Sequence, residues 1–389
     1  MVQTGLERLL ARIDHVRNKR IGIIANHTSV SRDLRYGWDL LSANGAQVKK
    51  LFSPEHGLFG TEQDQVPVIS HPDFPFEIVS LYGKTFDSLA PLEEHVRDVD
   101  CVLFDIQDVG SRYYTYVNTM VYFMKAIHGR GIEFIVLDRP NPLGGVLVEG
   151  PVLKKGFESF VGALPVPVRH GLTAGELARL AKDYFKLDLE LSVIEMTGWR
   201  RSMSYHETGL PWVPPSPNMP TVATALVYPG SCLLEGTNVS EGRGTTTPFE
   251  VAGAPGLQPY RFADALNECH LPGVLFRPHY FRPTFNKFGG QTIGGVGIHV
   301  ADASGFRPFS TGVAMVRILY EMAPDFAFLD GVYEFNSTHP AFDILTGSAA
   351  IREMIIDGKP FERIAEEWTK EDHVFAGITE EYHLYQDRA

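Results

Sequence analysis

Residues 101–138 read CVLFDIQDVGSRYYTYVNTMVYFMKAIHGRGIEFIVLD. Two short apolar runs, Cys101–Asp105 and Phe134–Asp138, each end on an aspartate and flank a helical stretch near Tyr114–Gly129. Runs this short and this apolar are strands buried on both faces, and a helix between two of them is the crossover of a parallel pair. Moving towards the N-terminus, Ile21–Asn26 (IGIIAN) and Val48–Phe52 repeat the strand pattern, with helical stretches near Tyr36–Asn44 and Ser88–Arg97. The expected fold is α/β, with a Rossmann-like parallel-sheet N-terminal domain.

Towards the C-terminus the pattern changes. The run PWVPPSPNMP (Pro211–Pro220) cannot continue a helix or a central strand and opens the crossing into a second unit. Beyond it come a helix at Phe262–Cys269, strands around Val274–Phe281 and Thr292–Val300, and helices near Gly312–Met322 and Ala349–Asp357. This is a smaller α+β unit. The chain has 389 residues, which at roughly 100–200 per domain implies two domains. We place them at 1–212 and 213–389, the second closing a cleft on the first.

Composition removes several functional classes. A net charge of −12 disfavours nucleic acid and anionic membranes as partners, since both select a positive surface. No apolar run reaches the 18 residues of a membrane span, and the N-terminus lacks the apolar core of a signal peptide, so the chain as written reads as cytoplasmic. Cys101, Cys232 and Cys269 form neither a disulfide framework nor a zinc motif. The turn after the first strand, Asn26-His27-Thr28-Ser29, lacks the GxGxxG of a dinucleotide site. GGQTIGGVG (Gly289–Gly297) lacks the strand–turn–helix setting, and no GxxxxGK[ST] or GxSxG occurs. No cofactor is expected.

Ligands of open parallel sheets bind beyond the carboxyl ends of the strands. Here those ends carry Asn26 and His27; Glu55 and His56; Asp105, Gln107, Asp108 and Arg112; and Asp138, Arg139 and Asn141. Asp105 and Asp138 suit structural caps. Glu55 is the sharpest candidate, because it follows Pro54 at a strand end and precedes the turn His56-Gly57; a partly desolvated carboxyl there suits a general acid. A second cluster, Glu235, Asn238, Glu241 and Arg243, lies in a Gly-rich stretch, and Arg169-His170 precedes a helix starting near Thr173. His27, His56 and His170 with Asp105 and Asp108 match no compact metal motif, so no metal is expected. Of the aromatics Tyr82, Tyr113, Tyr114, Tyr116, Trp199 and Trp212, Tyr82 in SLYG is the expected sugar-stacking ring.

Read together, the blocks FSPEHGLFG, SLYG, DIQDVGSRYYTY, LDRPNPLGG, VEGPVL, RHGLTAGELA, PPSPNMPT, YPGSCLLEGTNVSEGRGTTTPFE and FDILTGS resemble the exo-β-N-acetylmuramidases of peptidoglycan turnover, the NamZ-like proteins. The resemblance spans Ile21 to about Ser348. It implies metal-independent release of N-acetylmuramic acid (MurNAc) from non-reducing ends of peptidoglycan-derived glycan, the MurNAc-GlcNAc disaccharide included, in a cleft between subdomains. The catalytic glutamate it implies falls on Glu55. The second catalytic group stays open among Asp108, Glu235, Glu241 and the substrate's own acetamido group. Arg112, Arg139, Arg169 or Arg243 is expected to pair with the lactyl carboxylate of muramic acid, and an inserted segment at Leu58–Tyr82 is expected to restrict cleavage to chain ends. A non-catalytic carbohydrate-binding protein and a metal-dependent deacetylase or amidase are the rival readings.

Overall fold

A computed structural model of the chain describes residues 1–61, 74–83 and 85–387. Part of the Leu58–Tyr82 insertion, residues 62–73, therefore lies outside the described residues. The first unit is built from β1 (Arg20–Ala25), β2 (Gln47–Ser53), β3 (Glu77–Ser80), β4 (Cys101–Asp105), β5 (Glu133–Leu137) and β6 (Leu191–Ile194). They form one parallel sheet in the order β3-β2-β1-β4-β5-β6. The order reverses between β1 and β4, the arrangement of dinucleotide-binding folds.

Alternate residues of the central strands point to opposite faces, and both faces are dry. Ile24, Phe52, Phe104, Phe134 and Val136 meet one apolar cluster. Ile21, Ile23, Leu51, Leu103 and Ile135 meet another. The helices of this unit are α1 (Gly5–Leu10), α2 (Gly37–Ala43), α3 (Glu93–Val96), α4 (Thr115–Ala126) and α5 (Ala174–Tyr184). The helix expected near Ser88–Arg97 is broken into a 3-10 turn at Phe86–Leu89 and the short α3. Pro91 is the cause: Ala90 before it is extended (φ −121°, ψ 148°), as a residue preceding proline prefers.

The second unit holds α6 (Val222–Ser231), β7 (Val251–Ala254), α7 (Pro259–Glu268), β8 (Val274–Phe281), β9 (Ile293–Val300), α8 (Pro308–Met322), α9 (Ala341–Thr346), α10 (Ala350–Ile356) and α11 (Phe361–Thr379). Its strands form an antiparallel sheet, β7-β9-β8. The glycines of GGQTIGGVG serve this sheet, since a Cβ at Gly295 would sit 1.9 Å from Ala252 O. The chain end then returns to the first unit: the Tyr385 hydroxyl donates to Asp138 Oδ2 (2.6 Å), and Leu384 N donates to Glu176 Oε1 (2.9 Å). Among the described residues no helix is long and apolar enough to cross a membrane.

Candidate active site

β2 delivers Ser53 to the carboxyl edge of the sheet, and Pro54 starts a tight turn closed by Gly57 N donating to Pro54 O (3.1 Å). His56 within it takes φ 65°, a left-handed conformation uncommon outside glycine and its neighbours in turn preference. The turn aims Glu55 at the start of α4, where Thr115 Oγ1 donates to Glu55 Oε2 at 2.6 Å. A cavity of about 90 Å³ opens here, lined by Glu55, His56, Tyr114 and Thr115 together with Glu235, Arg243, Tyr333 and Glu334. Ser216 and Asn218, from the Pro-rich crossing, also line it.

Glu235 and Arg243 belong to a charge network that extends behind the cavity lining. Glu241 accepts from Arg243 Nε (2.7 Å) and Lys287 Nζ (2.9 Å). Arg243 reaches Glu235 at 3.5 Å, and Tyr333 donates its hydroxyl to Glu235 Oε2 at 2.8 Å. Burial pushes Glu241 towards protonation, but Lys287 and Arg243 outweigh it and hold the carboxyl below its usual range. Burial wins at Glu235, whose proton affinity is raised despite Arg243. The glycines of this loop are required by close approach: a Cβ on Gly242 (φ 81°) would lie 2.5 Å from Val251, and one on Gly244 (φ 86°) 2.6 Å from Phe285 O.

Glu334 was not singled out by its sequence. Its Oε2 accepts from Tyr82 Oη at 3.3 Å, and burial, then the charges of Glu55 and Glu235, push its carboxyl up to about 8. Tyr82 itself is 4% exposed and packs against Phe160 and Phe335. It therefore offers a hydroxyl rather than a stacking face, which corrects the expected role.

Several other expected site residues stand away from the cavity, each with a structural partner. Arg112 spends its guanidinium on the carbonyls of Pro151 (2.6 Å), Val166 (2.9 Å) and Leu345 (2.6 Å). Arg139 binds Asp105 Oδ1 (2.7 Å) and Val30 O, and Arg169 binds Leu143 O. Asp108 accepts from Gly110 N (2.6 Å), and burial raises its carboxyl to about 7. Gln107 donates to Asp108 O and Pro140 O, and Asn141 to Leu172 O. Asn26 accepts from Thr28, while Asn238 pairs with the backbone of Asp325 and Ala327. His27 donates Nε2–H to Pro214 O (2.6 Å). His170 accepts from Leu172 N, and burial lowers it to about 3, leaving the ring neutral. In a loop sequence a cation reserved for backbone carbonyls looks the same as one reserved for a ligand. Among the described residues no three His, Cys, Asp or Glu side chains gather as metal ligands would.

Two family models, the N-terminal and C-terminal parts of the exo-β-N-acetylmuramidase NamZ, match residues 21–223 and 226–385. The chain belongs to the NamZ family. The peptidoglycan β-N-acetylmuramidase NamZ of Bacillus subtilis is 42% identical over 99% of this chain and 91% of its own length. Two solved DUF1343-family proteins from Bacteroides fragilis share the fold, one at 33% identity with TM-score 0.89 over 99% of both chains. The other has 30% identity and TM-score 0.79 over 100% of both chains. The cavity lies between the two NamZ parts: Glu55 and Thr115 come from the first, and Glu235, Arg243 and Glu334 from the second.

Proposed function

We propose that the protein is a metal-independent glycoside hydrolase that removes MurNAc from the non-reducing ends of peptidoglycan-derived glycan. Glu55 acts as general acid, delivering its proton to the departing glycosidic oxygen as the sugar approaches an oxocarbenium-like transition state. The observation that carries this reading is the position of Glu55. It is fixed by a strand end, a tight turn and the Thr115 hydroxyl, and it lines a cavity together with two further carboxyls and a guanidinium. The name of the Bacillus subtilis relative supplies the substrate class.

Arg243 is the guanidinium in this reading that meets the lactyl carboxylate, since Arg112, Arg139 and Arg169 are engaged elsewhere. The Glu235–Glu241–Arg243–Lys287 group sets two cations against two carboxyls, and the raised proton affinity of Glu235 shifts that balance towards the positive side, which suits a carboxylate ligand. The test is hydrolysis of a chromogenic N-acetylmuraminide with and without exhaustive chelation. The expected result is equal turnover in both. No turnover would favour a binding protein, and turnover lost on chelation and restored by zinc would favour the metal-dependent class.

A further inference from the structure

The glycosidase reading leaves one half of the reaction without a named group, the half that consumes water. Among the residues lining the cavity, Glu334 shares a positive φ with His56 and Phe249, and it alone of the three carries a carboxyl. Glu334 and Phe335 are the centre of a two-residue turn closed by reciprocal 2.9 Å hydrogen bonds between Tyr333 and Asn336. Both central residues have positive φ, 45° and 65°. Turns of this kind favour Asn and Gly, and other residues in such regions cost on the order of 1–3 kcal/mol each. Strain persists only where neighbours hold it. Here Phe335 packs on Tyr82 and Phe160, and the Tyr82 hydroxyl donates to Glu334. A strained turn from the C-terminal part thus carries a carboxyl to the lining of the cavity that also holds Glu55.

We propose that Glu334 is the second catalytic carboxyl, which takes the proton of the water that adds to the anomeric carbon while Glu55 protonates the departing oxygen. The assignment rests on the glycosidase reading above. The bonds balance. The bond between the anomeric carbon and the glycosidic oxygen breaks, and that oxygen receives the Glu55 proton. The water oxygen bonds the anomeric carbon, and its proton goes to Glu334. One water is consumed, and solvent exchange returns the pair to its starting state.

The groups acting on Glu334 fix the pH dependence. Glu55, from the loop after β2, and Glu235, from the turn after α6, raise its proton affinity; Arg243 and the Tyr82 hydroxyl lower it. Tyr333, the adjacent residue, is committed to Glu235. The mechanism needs Glu334 ionised when the water attacks. Activity therefore falls on the acid side as Glu334 takes up a proton and ceases to act as base, near the value of about 8 to which burial and its carboxylate neighbours push it.

The experiment compares wild type, Glu55→Gln and Glu334→Gln on the unactivated disaccharide and on a nitrophenyl muraminide, across pH. Glu334→Gln is expected to lower kcat by roughly 100-fold or more on both substrates, because water must be activated whatever leaves. Glu55→Gln is expected to recover on the nitrophenyl substrate, which needs no acid. In Glu334→Gln the acid-side fall near pH 8 disappears from what activity remains, since the group that titrates there is gone. Glu334→Asp keeps a carboxyl and is expected to restore part of the loss, and it carries the test should the Gln variant not fold. Near-wild-type kcat in Glu334→Gln, or an unmoved acid-side limb, would overturn the assignment. A wild type inert on every muraminide would instead sink the glycosidase reading itself.

Discussion

Two crevices lie at the carboxyl edge of the parallel sheet, and they have opposite characters. The first is the switch point between β1 and β4, where dinucleotide-binding relatives of this topology hold their ligands. Here it is closed on itself. Asn26 accepts from Thr28, Thr28 accepts from Gln107 N (2.9 Å), and Arg139 is paired with Asp105. Tyr205, Leu210, Pro211 and Val213 cover the crevice and leave about 10 Å³, room for no more than a water. The second, between the two NamZ parts, keeps about 90 Å³ and gathers Glu55, Glu235, Arg243 and Glu334 around it. The fold supplies both places, but only the second leaves carboxyls with shifted proton affinities facing space. Buried polar groups that satisfy one another stabilise a structure, and those that do not are available for chemistry.

The comparison predicts that equal-looking substitutions fail in different ways. The largest effect belongs to the second crevice. Glu55→Gln removes the acid and keeps the shape, so kcat on the unactivated disaccharide is expected to fall by roughly two to four orders of magnitude. Its unfolding midpoint should match wild type, and steady-state kinetics beside thermal melts check both halves.

At the first crevice, Arg139→Met strands Asp105 without its cation. Both side chains are almost fully buried, and breaking such a pair costs about 3–5 kcal/mol. Chemical denaturation should show that loss, while the fraction that stays folded keeps its turnover. A catalytic defect without loss of stability would move Arg139 into the site.

Arg243→Met is expected to erase most of a preference for the muraminide over the N-acetylglucosaminide. That preference is set at roughly ten- to a hundred-fold by a charge-assisted bond of about 1.5–3 kcal/mol. Specificity constants for the two sugars measure it. Equal constants in the wild type would remove the lactyl carboxylate from the recognition argument.

The last effect concerns stability alone and falls on His170, which is neutral and buried in the fold. Its folded value of about 3 lies below the ordinary 6.5, so the unfolded chain takes up a proton that the folded one refuses. Stability is full above about 6.5 and drains as pH falls from there towards 3. His170→Asn retains an acceptor for Leu172 N and should show a shallower loss in thermal melts over that range.

The sheet was legible because its central strands are apolar on both faces, a pattern that survives without tertiary knowledge. β3 and β6 were not, being four-residue runs, EIVS and LSVI, too short to separate from loop. Glu55 was legible from Pro54 and the strand end before it. Glu334 was not, because its place depends on a turn meeting Tyr82 some 252 residues away in sequence. The arginines were ambiguous for the same reason: whether a guanidinium lines a cavity or binds three carbonyls is decided by packing, as Arg243 and Arg112 show.

The central claim is that the cavity between the two parts releases MurNAc from a chain end. The direct measurement is mass-resolved product analysis of two defined glycans, one ending in MurNAc at the non-reducing end and one capped there with N-acetylglucosamine. The account predicts free MurNAc from the first and no cleavage of the second. Internal fragments from the capped glycan, or no MurNAc from the open one, would contradict it.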